Sequence, residues 1–198
     1  VLVNLSEDTR TIGGVSLAGF TVRDQYGDID TYLDTEDGAH FWGSEFDDEV
    51  VIGDVNNFYW NGGLGGDDHV TILGNERLGV VEAPWSTDTG INWNVNDTVF
   101  EYSYGTKNHS ITVDGEFYGL SGSSLGDTLT GDENNNELKG LAGNDTLNAG
   151  AGNDFISFGA GDDLAIGGSG NDTYRYKGLE GFNTIRDTGG FDKILFHS

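Results

Sequence analysis

Cysteine is absent from this 198-residue chain, and proline occurs once, at Pro84. The first absence removes any disulfide framework and any thiol nucleophile, so whatever staples the fold is not a covalent cross-link. Basic residues are scarce: 9 Lys and Arg stand against 34 Asp and Glu, for a formal charge of −25. That balance repels phosphate backbones and anionic headgroups, which argues against nucleic acid and against membrane insertion. No apolar run approaches the roughly 18 residues that a spanning helix needs. The opening VLVNLSEDTR lacks the charged and apolar regions of a signal peptide.

Catalytic signatures are missing as well. There is no GxSxG elbow, no HExxH, no GxxxxGK(S/T), and no GxGxxG ahead of a helix. His40, His69, His109 and His197 lie far apart, without metal-ligand spacing. Carboxylate pairs abound, but in a chain this acidic they do not single out a glycosidase-like site. The expectation is a protein that is not an enzyme.

What is present in quantity is glycine, at 33 positions, and between Gly122 and Arg175 it becomes periodic. Six nine-residue segments follow one another without a gap: GSSLGDTLT, GDENNNELK, GLAGNDTLN, AGAGNDFIS, FGAGDDLAI and GGSGNDTYR. Glycine recurs at the second and fourth places, Asp at the sixth and an apolar residue at the eighth, a parallel β-helix pattern with acidic turns. Fourth-place Gly143, Gly152, Gly161 and Gly170 permit positive φ and a tight turn, so several carbonyls can face one spot. Asp145, Asp154, Asp163 and Asp172 bring carboxylates to that spot, while Leu129, Leu138, Leu147, Ile156 and Tyr174 turn inward from short strands. With two units per coil, turns on one side lie eighteen residues apart, which stacks Asp127, Asp145 and Asp163 in one column and Asp154 on Asp172 in the other. Bare carboxylates roughly 4 Å apart repel by about 4 kcal/mol per pair at an effective dielectric near 20. A cation between them is required. Carbonyls and carboxylates are hard donors, and a flexible cage of about 6 to 8 oxygens suits Ca²⁺ better than octahedral Mg²⁺.

GLAGNDTLN followed by AGAGNDFIS resembles the RTX nonapeptide repeat of secreted bacterial proteins. The resemblance implies an all-β fold, a calcium-bound parallel β-roll (a β-solenoid). In it multiple Ca²⁺ ions sit between stacked turns, held by the turn carbonyls of Gly143, Gly152, Gly161 and Gly170 and by the sixth-place Asp145, Asp154, Asp163 and Asp172. Asp127 matches less fully, because Leu125 occupies its glycine place, and Asn136 replaces the acid altogether. The resemblance also implies type I secretion from a bacterium to an extracellular or cell-surface location. The sequence begins on Val1 and ends soon after a strand-like run, FDKILFHS, and reads as a piece of a larger chain with neighbouring domains. Stripped of metal, so charged and glycine-rich a chain should not cover its ordering entropy. Folding and calcium binding are then expected as one event.

Outside the clean block, residues 1–71 read as a β-rich start with worn copies of the repeat. VLVNL and TIGGVSLAGFTV alternate like strands around a Gly13-Gly14 turn, and Asp28, Asp30, Asp34 and Asp37 crowd the next stretch. The EF-hand template fails there, since Tyr32 stands where an oxygen ligand belongs. GSEFDDEVV puts Asp48 sixth and Val50 eighth, IGDVNNFYW keeps Gly53, Asn57 and Tyr59, and GLGGDDHVT restores Gly66, Asp68 and Val70. Asp48 and Asp68 are therefore further candidate metal ligands. After a two-residue insertion, Tyr176-Lys177, GLEGFNTIR and DTGGFDKIL extend the repeat to residue 196 and add Asp192, with Tyr174, Tyr176, Phe182 and Phe196 expected to finish the coil.

Between residues 72 and 121 the repeat vanishes. LGVVE, DTVFEYSY and ITVDGEFYGL read as strands of a small antiparallel insertion packed on the roll, with a hairpin signal at Asp114-Gly115. The loop APWSTDTGINWNVND sets Trp85 and Trp93 among Asp88, Asn94 and Asp97. Aromatic faces beside acids and amides can orient a ligand, and the same tryptophans can instead plug the end of a narrow core. The expected function is a calcium-dependent ligand-binding module of a bacterial RTX adhesin, engaging a peptide or glycan on another cell's surface. Two alternatives stand beside it: a carbohydrate-binding module, and a calcium-driven folding and secretion block attached to an enzyme or toxin.

Overall fold

A computed structural model describes residues 2–5, 10–12, 15–17, 21–23, 29–30, 39–42, 47–52, 58–61, 65–72, 79–84, 87–115, 117–177 and 181–197. All regular structure among these residues is β. One wall is an eight-stranded parallel sheet containing Ala39–Trp42, Phe58–Asn61, Val80–Glu82, Gly119–Ser121, Glu137–Ala142, Phe155–Ala160, Thr173–Lys177 and Lys193–His197, paired in that order. Facing it in the C-terminal half is a five-stranded parallel sheet of Asn92–Asn94, Thr128–Thr130, Thr146–Ala151, Leu164–Ser169 and Thr184–Arg186. In the N-terminal half that role passes to a seven-stranded mixed sheet that includes Leu2–Leu5, Glu49–Ile52, Asp67–Ile72 and the hairpin Val99–Tyr104/Lys107–Asp114. The chain alternates between walls every nine residues, so two units form one coil. The architecture is the β-solenoid that the repeat implies.

The register shows why nine residues suffice. Leu129 pairs with Leu147 and Leu147 with Ala165, while Leu138 pairs with Ile156 and Ile156 with Tyr174, each step eighteen residues. These side chains are fully or almost fully buried. A strand has period two, so the eighth place points inward and its neighbours outward. The next unit again offers an eighth-place apolar residue to the opposite wall. Each such burial contributes about 1.5–3 kcal/mol, spread along the axis rather than gathered at one centre.

The worn N-terminal units stack in the same way, with a longer step. Val50 pairs with Val70, and both are buried. The expected inward Tyr59 is replaced by Trp60, which is 1% exposed and pairs with Phe41 and Val81. Tyr59 faces outward beneath the Lys139 ammonium, 4.6 Å from its ring centre. A one-residue slip moves every side chain of a strand to the other face, so the larger indole takes the core place. Gly53, Asn57, Gly13, Gly14, Asp28, Tyr32, Asp34 and Asp37 lie outside the described residues, and Asp30 ends the short strand Ile29–Asp30.

The 72–121 stretch differs from the expected antiparallel insertion. Val80–Glu82 and Gly119–Ser121 are parallel rungs of the long wall, and Asn92–Asn94 is the first rung of the five-stranded sheet. Only Val99–Tyr104 and Lys107–Asp114 are antiparallel, and their turn lies at Gly105, which has φ 67°. Asp114-Gly115 is not the hairpin turn. Lys107–Asp114 runs straight on beside Asp67–Ile72, and a Cβ on Gly115 would run into Ile72. The stretch is a coil of the roll that includes one antiparallel hairpin, whose Phe100, Tyr102, Ile111 and Val113 are buried in the core.

At the other end, Tyr174 is 1% exposed and stacks on Phe158 at 6.4 Å, and Phe196 meets Tyr176 edge-on at 5.8 Å. Phe182 does not help to close the core. It is 89% exposed, Phe196 is 76% exposed despite its contact with Tyr176, and Phe191 on the following turn is 88% exposed.

Candidate metal centre

The turns between strands stack as tightly as the strands. Gly143, Gly152, Gly161 and Gly170 all have φ between 118° and 137°. A Cβ on Gly161 or Gly170 would overlap the carbonyl oxygen of Gly143 or Gly152 one coil earlier. Glycine is therefore needed twice, for a positive φ and for close approach. The same contacts set the turn carbonyls in a line through the gap between coils.

The sixth-place acids form two columns, as the eighteen-residue step requires. In the first, the backbone N–H of Asp127 donates to Asp145 Oδ1 at 2.8 Å, that of Asp145 to Asp163 Oδ1 at 2.9 Å, and that of Asp163 to Asn183 Oδ1 at 2.9 Å. In the second, Asn136 donates to Asp154 Oδ1 at 2.7 Å, Asp154 to Asp172 Oδ1 at 2.9 Å, and Asp172 to Asp192 Oδ1 at 3.0 Å. The worn coils repeat the motif: Asp48 donates to Asp68 Oδ1 at 2.9 Å, twenty residues on. One carboxylate oxygen is thus occupied by the ladder. Asn183 does that job as an amide, whereas Asn136 turns its Oδ1 to the Asp132 N–H of its own turn at 2.8 Å and donates from Nδ2 to Tyr118 O at 3.2 Å.

The second oxygen is what asks for a cation. Oδ2 of Asp68, Asp145, Asp154 and Asp172 is buried and has no hydrogen-bond partner in the protein. A buried, unsatisfied carboxylate oxygen is costly unless a positive charge faces it. The metal-free fold accordingly resists ionising these groups. Burial pushes the Asp145 carboxyl up from 3.8 to about 8, and the charges of Asp127 and Asp163 add to the effect. Burial likewise raises Asp68 to about 8, with Asp48 adding to the shift, and Asp154 to about 6, with Asp172 adding to it. Asp172 is raised in the same direction, again chiefly by burial. First-place glycines make room for these oxygens, since a Cβ on Gly140 would strike Asp145 Oδ2. Hard carboxylate and carbonyl oxygens converge on space that no protein donor fills, a donor set that fits Ca²⁺.

Asp127 stands apart. Its Oδ2 accepts the Ser123 backbone N–H at 2.6 Å, and its Oδ1 accepts the Ile91 N–H at 2.8 Å and the Ser123 hydroxyl at 3.0 Å. Both oxygens are engaged by the protein, so this acid offers an ion less than its neighbours do. The GSSLGD turn, with Ser123 and Leu125 at the glycine places, is the sequence cause.

A second set of side chains went unnoticed in the sequence. Fifth-place Asn135, Asn144, Asn153 and Asn171 accept backbone N–H groups from the following coil, at 2.7 Å from Asn153, 3.0 Å from Asp162, 2.7 Å from Asn171 and 2.8 Å from Phe191. This ladder runs opposite in sense to the sixth-place one. The signal was visible as Asn or Asp recurring at the fifth place, where the NDT spelling conceals two separate jobs.

The loop residues proposed to grip a ligand divide. Trp93 is 2% exposed and lies in the core, stacked in register above Leu129, with Phe100 edge-on at 5.1 Å and its indole N–H donating to Glu101 O at 2.9 Å. It is an eighth-place plug and presents no face outward. Trp85 lies outside the described residues. Asp88 is exposed, and its backbone N–H is tied to Ser103 O at 2.8 Å. Asn94 and Asp97 close a tight turn on each other, the Asn94 N–H donating to Asp97 Oδ2 at 3.0 Å. Of the five, Asp97 opens onto a cleft of about 510 Å³, which is also lined by Val95, Asn96, Thr98, Gly115, Phe117, Asp132, Glu133 and Asn134.

Comparison with known proteins agrees with this geometry. The model of the RTX calcium-binding nonapeptide repeat, in four copies, matches residues 121–156 and 159–175. A search of curated proteins returns no significant match. The RTX repeats bind calcium ions, several per block. The stacked turns of residues 121–175 are RTX calcium-binding nonapeptide repeats.

Proposed function

We propose that this chain is a calcium-dependent peptide-binding module of a secreted bacterial RTX adhesin, attaching it to a partner cell or surface. RTX repeats occur in proteins exported by type I secretion, which supports an extracellular setting. The observation that carries the binding part is the cleft of about 510 Å³. One side comes from the loop that leads into the hairpin Val99–Tyr104/Lys107–Asp114, and the other from the turn of GDENNNELK. In that unit Asp132 and Asn134 replace the second- and fourth-place glycines, so the turn carries side chains where the turn stacked one coil on, with Gly150 and Gly152, has bare backbone. Asp97, Asp132 and Glu133 surround an apolar floor of Val95 and Phe117, a setting for an extended peptide bearing a cationic group. The module acts by binding and has no catalytic role.

Peptide and glycan arrays probed in calcium test the reading. Peptide hits that vanish with chelator and fall at least tenfold with Asp97→Asn or Asn134→Ala are the expected outcome. Hits confined to the glycan array would make it a carbohydrate module. Blank arrays from folded protein would leave the second reading, a calcium-driven folding and secretion block, which the two carboxylate columns favour by themselves.

A further inference from the structure

The last coil departs from the repeat in a way that points to an additional ion site. Elsewhere in the roll the first place of a unit carries Gly122, Gly131, Gly140 or Gly167, or an inward side chain: Ala149 is 0% and Phe158 1% exposed. In DTGGFDKIL that place holds Asp187. A carboxylate is thus set where the roll otherwise keeps apolar or no side chain. Asp187 is exposed, and its Oδ2 accepts a hydrogen bond from the hydroxyl of the buried Tyr174.

Two acids of the sixth-place column meet it there. Single oxygens of Asp172, Asp187 and Asp192 all lie within 4.8 Å of one another. Asp172 is 0% exposed, and its Oδ2 has no hydrogen-bond partner. That oxygen is aimed into the cluster, because a Cβ placed on Gly167 would run into it, into Asp187 Oδ2 and into the Tyr174 hydroxyl together. Asp187 and Asp192 are exposed, with one oxygen each bound to a backbone N–H, and among the described residues none of the three acids forms an ion pair, so the buried Asp172 oxygen faces two further carboxylates and a phenol.

We propose that Asp172, Asp187 and Asp192 form a three-carboxylate calcium site that locks the C-terminal coil onto the roll. It rests on calcium binding by the repeats, yet its donors differ from theirs: Asp187 and Asp192 lie beyond the matched residues 121–175, and a first-place side chain takes part. The ion joins Asp172, at the foot of Thr173–Lys177, to two acids flanking the turn that leads into Lys193–His197. Among the described residues Lys193–His197 is exposed along its length and pairs only with Thr173–Lys177. An ion tying its turn to the coil before it holds the two in register.

The test is native mass spectrometry of the whole chain at saturating calcium, paired with hydrogen exchange over residues 193–197. Asp187→Ala, which installs the residue that Ala149 occupies in an earlier coil, should hold one calcium fewer than the wild type. Protection of 193–197 should then require at least about tenfold more calcium. Asp192→Asn, which keeps the ladder acceptor as Asn183 does, should lose the same ion and guards against a folding defect in the first variant. Equal ion counts in the wild type and both folded variants would overturn the closing site alone. A wild-type chain that takes up no calcium at all would overturn the calcium roll on which it depends.

Discussion

Asp145→Asn separates the two jobs of one carboxylate, and it should move stability in opposite directions with and without calcium. Oδ1 accepts the Asp127 N–H at 2.8 Å, and an amide can keep that bond, as Asn183 does for Asp163 at 2.9 Å. Oδ2 faces the gap between coils, and there the amide removes the charge that an ion needs. Substitutions one shell outside a metal already cost about 10–100-fold in affinity. Loss of a direct ligand should therefore raise the calcium midpoint of folding at least tenfold, about 1.4 kcal/mol.

In calcium-stripped protein the sign reverses. In the fold, burial and the charges of Asp127 and Asp163 raise the Asp145 carboxyl from 3.8 to about 8. A folded-state value above the unfolded one means that the metal-free fold is favoured below about pH 4 and loses that advantage as pH rises towards 8. Allowing for solvent screening at the rim of the turn, the burden above pH 8 is roughly 1–3 kcal/mol, and Asn carries none of it. Far-UV circular dichroism of stripped protein, titrated downward from pH 9, should show strand content appearing at higher pH in the variant. The same measurement at pH 7.5 with rising calcium should show it appearing later. A variant weaker in both series, or unchanged in the calcium series, would refute the division of roles.

Trp93→Ala should lower stability in saturating calcium by about 3–5 kcal/mol, since it empties a core place, while any array hits from protein kept below its melting temperature persist. Thermal unfolding in calcium is the check, and loss of hits without loss of stability would return Trp93 to the binding surface. Asn153→Ala removes the acceptor of the Asn171 N–H at 2.7 Å and should cost about 0.5–1.5 kcal/mol. Its calcium count by mass spectrometry should stay at the wild-type value, because the fifth-place ladder is structural.

Legibility from sequence followed strictness of spacing. Where the nine-residue period holds, the turn, the inward residue and the eighteen-residue partner are all fixed by position, so the columns through Asp145 and Asp154 could be named without coordinates. Between Ile72 and Ser121 the walls are unchanged, but the connections lengthen, and a period search loses rungs such as Val80–Glu82 that remain in register with Leu120 and Trp60. The slip from Tyr59 to Trp60 was hidden for a related reason: both residues are large and aromatic, and pattern alone does not say which faces in. Trp93 looked like a surface feature because acids and amides surround it in sequence. They belong to the outward half of its own strand and to the turn after it.

The two sixth-place columns share one direction. Each sixth-place N–H donates to a carboxylate or amide one coil nearer the C-terminus, from Ile91 through Asp127, Asp145 and Asp163 to Asn183, and from Asn136 through Asp154 and Asp172 to Asp192. The fifth-place ladder runs the other way, from Asn153 to Asn135, Asn171 to Asn153 and Phe191 to Asn171, so a turn is satisfied only when the coils on both sides of it have formed. In a repeat protein whose coils contact only their neighbours, that mutual dependence couples the order of each coil to the next. The coil of Asp192 enters it as acceptor for the Asp172 N–H and, through the Phe191 N–H, as donor to Asn171, and it is there that Asp187 adds a carboxylate at the first place of its unit.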